Sequence, residues 1–256
     1  MQNEQDGPSD RERRRHRRRP RGRAAVVLGA VGELFITVGL VLALFVGYSL
    51  WWTDLVADGR AGREAERLRG SWSAPAAPAA SAAASAPAAP PPVYAAGDGV
   101  GFLHVPAMGR DYQVLIRMGT GPEVLNEGVA GVYQEPYRSA MPWDGTGNFA
   151  LAAHRDGHGA KFHDLDQVGP GDAVVVETRD SWYVYRVDGT LPQTSQYDTG
   201  VIAPVPAGSP YDKPGRYITL TTCTPVYTSR YRMAVWGSLV RVDAVDARRT
   251  PPPELR

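Results

Sequence analysis

Cys223 is the single cysteine of this 256-residue chain, and it closes the β-branched run Tyr217-Ile218-Thr219-Leu220-Thr221-Thr222-Cys223-Thr224 just before Pro225. One thiol cannot form an internal disulfide, so Cys223 is either an inert core residue or a nucleophile. A nucleophilic thiol needs a group to move its proton and a cation to steady the oxyanion it generates. His154 follows the apolar run Phe149-Ala150-Leu151-Ala152-Ala153, and Arg230 and Arg232 lie shortly after the cysteine. Thiol, imidazole and guanidinium together make an acyl-transfer site: the cation favours thiolate, and the imidazole carries a proton to a leaving amine. The remaining chemistry-bearing residues are less suggestive. His104, His158 and His163 read as loop or surface histidines, and no cysteine framework makes a zinc site of them.

The elements that must position these groups are short and strand-like. Strands are expected at 101–105, 112–117, 131–133, 148–153, 173–177, 182–188, 217–222 and 232–242, separated by clusters of Gly, Pro, Asp and Asn. Helical signals are confined to 122–126 and 162–168. The pattern is all-β with short helices, and a closed or nearly closed β-barrel accommodates it. His154 and Cys223 each end a strand and the arginines open the next, so one rim of the barrel can gather all three.

Ahead of the barrel, composition changes abruptly. Nine of the thirteen residues from Arg11 to Arg23 are arginine, hidden within an overall net charge of +1. Nineteen uncharged residues then run from Leu34 to Trp52, ending in Tyr48, Trp51 and Trp52. As a helix this stretch spans roughly 28 Å, about a bilayer's hydrocarbon core. Arginines on one flank and aromatics on the other predict a single-pass helix with a cytoplasmic N-terminus and the remainder outside. The basic flank is therefore read as membrane-related, with no nucleic-acid partner. A cleaved signal peptide is the rival, but the apolar run exceeds the usual core of about 7–15 residues. Glu33 lies within the first third of the apolar region, where it can be neutral or partnered. Residues 53–70 are charged and helix-compatible, whereas 71–92 are almost wholly Ala, Pro and Ser, an extended spacer. The expected divisions are a cytoplasmic tail (1–23), an anchor (24–52), a charged segment and linker (53–98), a barrel (99–246) and a disordered tail (247–256).

The run Thr219-Leu220-Thr221-Thr222-Cys223, the segment Asn148-Phe149-Ala150-Leu151-Ala152-Ala153-His154-Arg155, and the arginine beyond the cysteine resemble the signature elements of sortases. The segment from Phe162 to Asp172 is similar to the link between them, and the resemblance covers 99–242. It implies a closed eight-stranded sortase-type barrel and a cysteine transpeptidase. Such an enzyme cuts a Leu-Pro/Ala-X-Thr-Gly sorting signal between Thr and Gly, then passes the acyl group to an amine of a cell-wall precursor. On that reading Cys223 is the nucleophile, His154 the general acid/base, and the arginine steadies the oxyanion and binds the signal. Ala153 departs from the Gly that many relatives carry before the histidine.

Arg230 and Arg232 share one face of a strand by two-residue periodicity, so parity cannot choose between them. Spacing in related enzymes favours Arg232. The anchor, the Ala/Pro spacer and the scarcity of lysine, with only Lys161 and Lys213, are most similar to class E sortases, housekeeping enzymes of high-GC Gram-positive bacteria. The resemblance adds Tyr112, Thr222 and Arg232 as substrate-binding residues, Tyr112 through its likeness to a class E tyrosine linked to Ala at the second signal position. No Asp-Pro-aromatic tripeptide occurs between Thr53 and Gly99, which favours anchoring of single proteins over pilus assembly. The long segment 191–216 should shape the signal groove. No cofactor is expected, and the acids near that segment are too scattered for calcium. The implied partners are proteins bearing LAXTG- or LPXTG-type signals, a peptidoglycan-precursor amine and the bilayer. Two other readings are an L,D-transpeptidase, for which Thr221-Thr222-Cys223 is a poor match to Ser-x-Gly-Cys, and an inactive membrane-tethered interaction module.

Overall fold

The computed structural model describes residues 23–73 and 93–256; the arginine-rich tail to residue 22 and most of the Ala/Pro spacer, 74–92, lie outside the described residues. The chain forms two compact units, Met1–Gly47 and Tyr48–Arg256.

In the first, the described residues belong to α1 (Arg23–Ser73). Within this unit the helix is apolar around its whole circumference, with Leu28 and Ile36 exposed by 75% and 74%. A helix that buries one stripe against protein is not built this way. The apolar window Val26–Tyr48 has a mean hydropathy of 2.3 over 23 residues, about 35 Å of helix. That length and composition suit a single-pass membrane helix. The window falls within the 24–52 expected for the anchor, begins before the uncharged run 34–52 and takes in Glu33.

In the second unit the strands follow the expected order: β1 (Gly99–His104), β2 (Gln113–Met118), β3 (Ala130–Val132), β4 (Gly147–Ala152), β5 (Ala173–Glu177), β6 (Ser181–Ser195), β7 (Arg216–Thr224) and β8 (Tyr231–Ala244). They close into a barrel in the order β1-β2-β3-β4-β7-β8-β6-β5. Two pairings are parallel, β2 with β3 and β4 with β7; the others are antiparallel. One face of each strand fills the interior with residues such as Leu103, Ile116, Phe149, Leu151, Ile218, Leu220 and Val235. A short helix, α2 (Pro122–Leu125), and a 3-10 turn at Leu165–Gln167 match the two helical signals.

Three features differ from expectation. β6 runs to Ser195, so the groove loop comprises 196–215 rather than 191–216. Its second half is half exposed and broken from β8 by bulges, which hides the apolar alternation that marks a strand. The charged segment after Trp52 continues α1 and packs on the barrel, where Ala61, Ala65, Leu68 and Trp72 cover Phe102, Leu115, Val124 and Val129. Finally, the tail expected to be disordered is held in place. Asp246 accepts hydrogen bonds from Arg248, Thr250 and the Thr250 hydroxyl, Arg241 pairs with Glu254, and Arg249 reaches Glu177.

Glu177 explains that last contact. It is 1% exposed, and Arg69, Arg249 and His104 all bind its carboxylate at 2.9–3.2 Å. Burial by itself would raise its pKa, but the His104 hydrogen bond and the two guanidinium groups outweigh it and hold the carboxyl below its ordinary value. One buried charge thereby ties α1, β1, β5 and the C-terminal segment together.

Candidate active site

Strand parity determines where the chemistry lies. Phe149 and Leu151 on β4, with Ala153 just past its end, face the interior; on β7, Ile218 and Leu220; on β8, Met233 and Val235. The alternate residues face outward. Ala150, Ala234 and Trp236 form a second apolar cluster with Val201 and Ile202 of the 196–215 loop. The Trp236 Nε1–H donates to the Val201 carbonyl at 3.0 Å, fastening that loop to the wall. Thr221 and Cys223 continue the outward series on β7. Cys223 thus lies on the outer face of the β4-β7-β8 wall, near the rim expected to gather the three groups.

Cys223 is partly exposed and pairs directly with Arg232 in the antiparallel β7-β8 register. Residues so paired project to the same face with Cβ atoms about 4.5–5.5 Å apart. The Arg232 Nη1 donates to the carbonyls of Ser229 and Tyr231, both at 2.9 Å, which holds the guanidinium beside the strand end. Arg230 precedes β8, is exposed, and stacks over the Tyr231 ring at 5.2 Å. Register therefore separates two arginines that parity could not.

β4 runs parallel to β7 with Ala152 opposite Thr221. Beyond that pair the strand ends are sewn together: Ala153 N–H donates to the Thr221 carbonyl at 3.3 Å, and the Thr222 hydroxyl donates to the Ala153 carbonyl at 2.7 Å. Thr222 is buried, with its hydroxyl committed to this bond. His154 leaves β4 at once after it, beside the end of β7 that carries Cys223. Asp156 accepts a hydrogen bond from Tyr227 N–H at 2.6 Å, linking the loop after His154 to the loop after Cys223.

The imidazole is oriented by Asn126. His154 Nε2 lies 2.8 Å from Asn126 Oδ1. An amide oxygen only accepts, so Nε2 carries the proton and Nδ1 is left free to take one. Burial lowers the His154 pKa below the ordinary histidine value, the nearby His158 lowers it further, and Asp156 partly opposes them. The rings of His154 and His158 lie 5.2 Å apart. At neutral pH the imidazole is therefore neutral and available as a base.

Two residues to which sequence reasoning gave no role, Tyr133 and Arg155, lie at the site, beside the expected Tyr112. Tyr133 donates to or accepts from Thr221 Oγ1 at 3.0 Å. Burial raises its pKa, while the Thr221 bond and the Arg232 charge oppose and the Cys223 charge adds, so its hydroxyl shares the field of both groups. Arg155 is buried behind the site, where it binds Thr224 Oγ1 at 3.1 Å, the His163 carbonyl at 3.3 Å and Asp166 at 2.8 Å. A charged residue after an apolar strand reads as loop, so nothing marked it as interior. Tyr112 lies in the turn before β2 and donates to the Lys161 carbonyl. Burial and Asp164 push its pKa up. It is joined to the site through the 154–163 loop, since Phe162 N–H donates to the His154 carbonyl at 2.9 Å.

An open cavity of about 480 Å³ lies between the 133–147 and 196–215 loops, lined by Tyr133, Trp143, Asn148, Ile202 and Pro204 among others. Tyr133, whose hydroxyl touches Thr221, is one of its lining residues. Among the described residues, no group of three His, Cys, Asp or Glu is arranged to hold a metal.

Residues 103–240 match the family description "Sortase domain". The chain is 51% identical to Sortase SrtE2 of Streptomyces coelicolor over 94% of its own length and 93% of that protein. It is 43% identical to Sortase SrtE1 of the same organism, over 89% of this chain and 61% of that one. The structure of S. coelicolor sortase E1 with a tripeptide in its active site superposes with a TM-score of 0.59 at 42% identity, covering 64% of this chain and all of that one. Sortase E from Streptomyces avermitilis gives a TM-score of 0.56 at 36% identity over the same share. With its closed eight-stranded barrel, the chain belongs to the sortase family of transpeptidases.

Proposed function

We propose that this sortase is a single-pass membrane protein that cleaves a Leu-Ala/Pro-X-Thr-Gly signal between Thr and Gly through a thioacyl intermediate on Cys223. The observation that carries the reading is the cross-strand pairing of Cys223 with Arg232 beside the strand end bearing His154. The neutral imidazole accepts the Cys223 proton at Nδ1 as Sγ attacks the Thr carbonyl. Arg232 stabilises the oxyanion that develops. His154 then returns the proton to the glycine nitrogen, the C–N bond breaks, and a thioester remains. An incoming amine reverses the sequence: its nitrogen attacks the thioester, Nδ1 takes its proton, the C–S bond breaks, and the proton passes back to sulfur.

The signal is assigned to the cavity lined by Tyr133 and Pro204, with Arg232 and Tyr112 as binding residues outside that lining and Thr222 as a supporting one. Thr222 acts by holding the Ala153 carbonyl. The accepting amine is assigned to a cell-wall precursor. The arginine-rich tail (1–23) lies on the cytoplasmic side and the barrel (99–246) outside, following the positive-inside rule. The anchor (24–52) joins them, with residues 53–98 as the connecting segment. The similarity to S. coelicolor and S. avermitilis sortases supports a Gram-positive setting.

Incubating the full-length protein with a Leu-Ala-X-Thr-Gly peptide and an excess of triglycine tests this. The expected result is release of the glycine-bearing fragment and formation of the new amide, both lost in Cys223→Ala. Equal turnover by the cysteine variant contradicts the mechanism.

A further inference from the structure

The part of α1 beyond Tyr48 does more than cover an apolar patch. Ala57 is 2% exposed and sits against Gly128, where an added Cβ would lie 3.3 Å from the Ala57 backbone and Cβ. Gly128 also has φ +71°, so the turn it forms is shaped to receive the helix. Asp58 Oδ1 is 2.7 Å from Lys161 Nζ. Arg60 Nη1 is 3.1 Å from Glu127 Oε1. These contacts fall on two turns, 126–128 and 157–161. The first carries Asn126, which holds His154 Nε2; the second carries His158, whose ring lies beside His154. The second turn also leads into Phe162, whose N–H binds the His154 carbonyl. Each of these three contacts is thus within three residues of a group that fixes the imidazole.

The turns are poorly suited to hold themselves. His158 and Ala160 have φ of +50° and +41°, and Gly157 and Gly159 are also in the left-handed region. Non-glycine residues occupy that region only when surrounding structure imposes it. Lys161 and Glu127 give the two turns charged partners of opposite sign, and Asp58 and Arg60 match them in order.

We propose that Ala57, Asp58 and Arg60 of α1 are positioning residues of the active site, clamping the 126–128 and 157–161 turns so that His154 is held by Asn126. The inference rests on the role assigned to His154 above. It makes the helix that continues from the membrane span part of the working enzyme, so that loosening it lowers turnover before it lowers stability.

The test uses the full-length chain in detergent micelles. Histidine-labelled NMR follows the His154 Nε2–H signal, which its bond to Asn126 protects from exchange, and peptide turnover is measured in parallel. Asp58→Lys should weaken that signal and lower kcat about tenfold, with KM within about twofold and the melting midpoint little changed. Asp58→Lys combined with Lys161→Asp should restore both. Arg60→Glu, reversed by Glu127→Arg, provides a second pair in a more exposed position should the first disturb folding. Arg67→Glu, on an exposed side chain of the same helix, should leave signal and kcat unchanged. Wild-type signal and kcat in both single reversals, or no restoration in either double, overturns the proposal. If the signal responds as expected but the wild-type chain cleaves no peptide, the clamp stands and the proposed function fails.

Discussion

Cys223 and Arg232 are register partners across β7 and β8, so a thiol and a guanidinium project from adjacent strands onto the same outward face. Arg232 is also fixed by two carbonyls at the strand's start, whereas Arg230 lies over Tyr231 before the strand begins. Replacing Arg232 with alanine should lower kcat/KM by about 10² or more, and Arg230→Ala should have a much smaller effect. Steady-state peptide cleavage measures both. Reversed magnitudes would move the oxyanion role by two residues.

The lowered pKa of His154 sets the acid side of the pH profile. A histidine whose folded pKa lies below its unfolded value is neutral above the folded value, and activity that needs the base is lost as pH falls through it. The acid limb of kcat/KM should therefore lie below the ordinary histidine value of about 6.5. His158→Ala removes one of the lowering influences and should move that limb upward. A downward or absent shift would mean that His158 does not act on His154.

Much of this was legible beforehand, for physical reasons that also mark where legibility ended. β7 and β4 are continuous apolar or β-branched runs, so their ends, with Cys223 and His154, follow from local composition. Arg232 opposite Cys223 is a matter of register between strands, which no local pattern encodes when both arginines share one parity. Asn126 lies 28 residues from His154 in sequence, and its role exists only after the barrel brings α2 and the end of β4 together. The C-terminal segment failed the same way: a short polar stretch rich in Arg and Pro reads as disordered, but Arg249 is drawn in by a buried carboxylate 72 residues away.

Thr222→Val keeps the side chain's size and removes the hydroxyl that binds the Ala153 carbonyl. Leaving that buried oxygen unpaired should cost about 1–3 kcal/mol of stability, measured by denaturant unfolding. Turnover should fall as well, because the bond joins the strand ends carrying Cys223 and His154. Unaltered stability would return Thr222 to a purely substrate-facing role.

Glu177→Gln removes the charge that Arg69, Arg249 and His104 surround. Loss of a buried ion-pair partner costs about 3–5 kcal/mol, so the thermal midpoint should drop clearly. The folded carboxyl has a depressed pKa, so its contribution is present above the unfolded carboxylate range and disappears as pH falls through the folded value. Acid melts of wild type and variant should converge at low pH. A constant gap down to that range would contradict the charge argument.

The most direct measurement is the intact mass of the protein after rapid quenching with the Leu-Ala-X-Thr-Gly peptide and no added amine. The account predicts an adduct equal to the Leu-Ala-X-Thr acyl group, mapped to the Cys223 peptide, released by hydroxylamine and absent in Cys223→Ala. Cleavage of the peptide with no adduct on Cys223, or an adduct that survives the cysteine substitution, would contradict it.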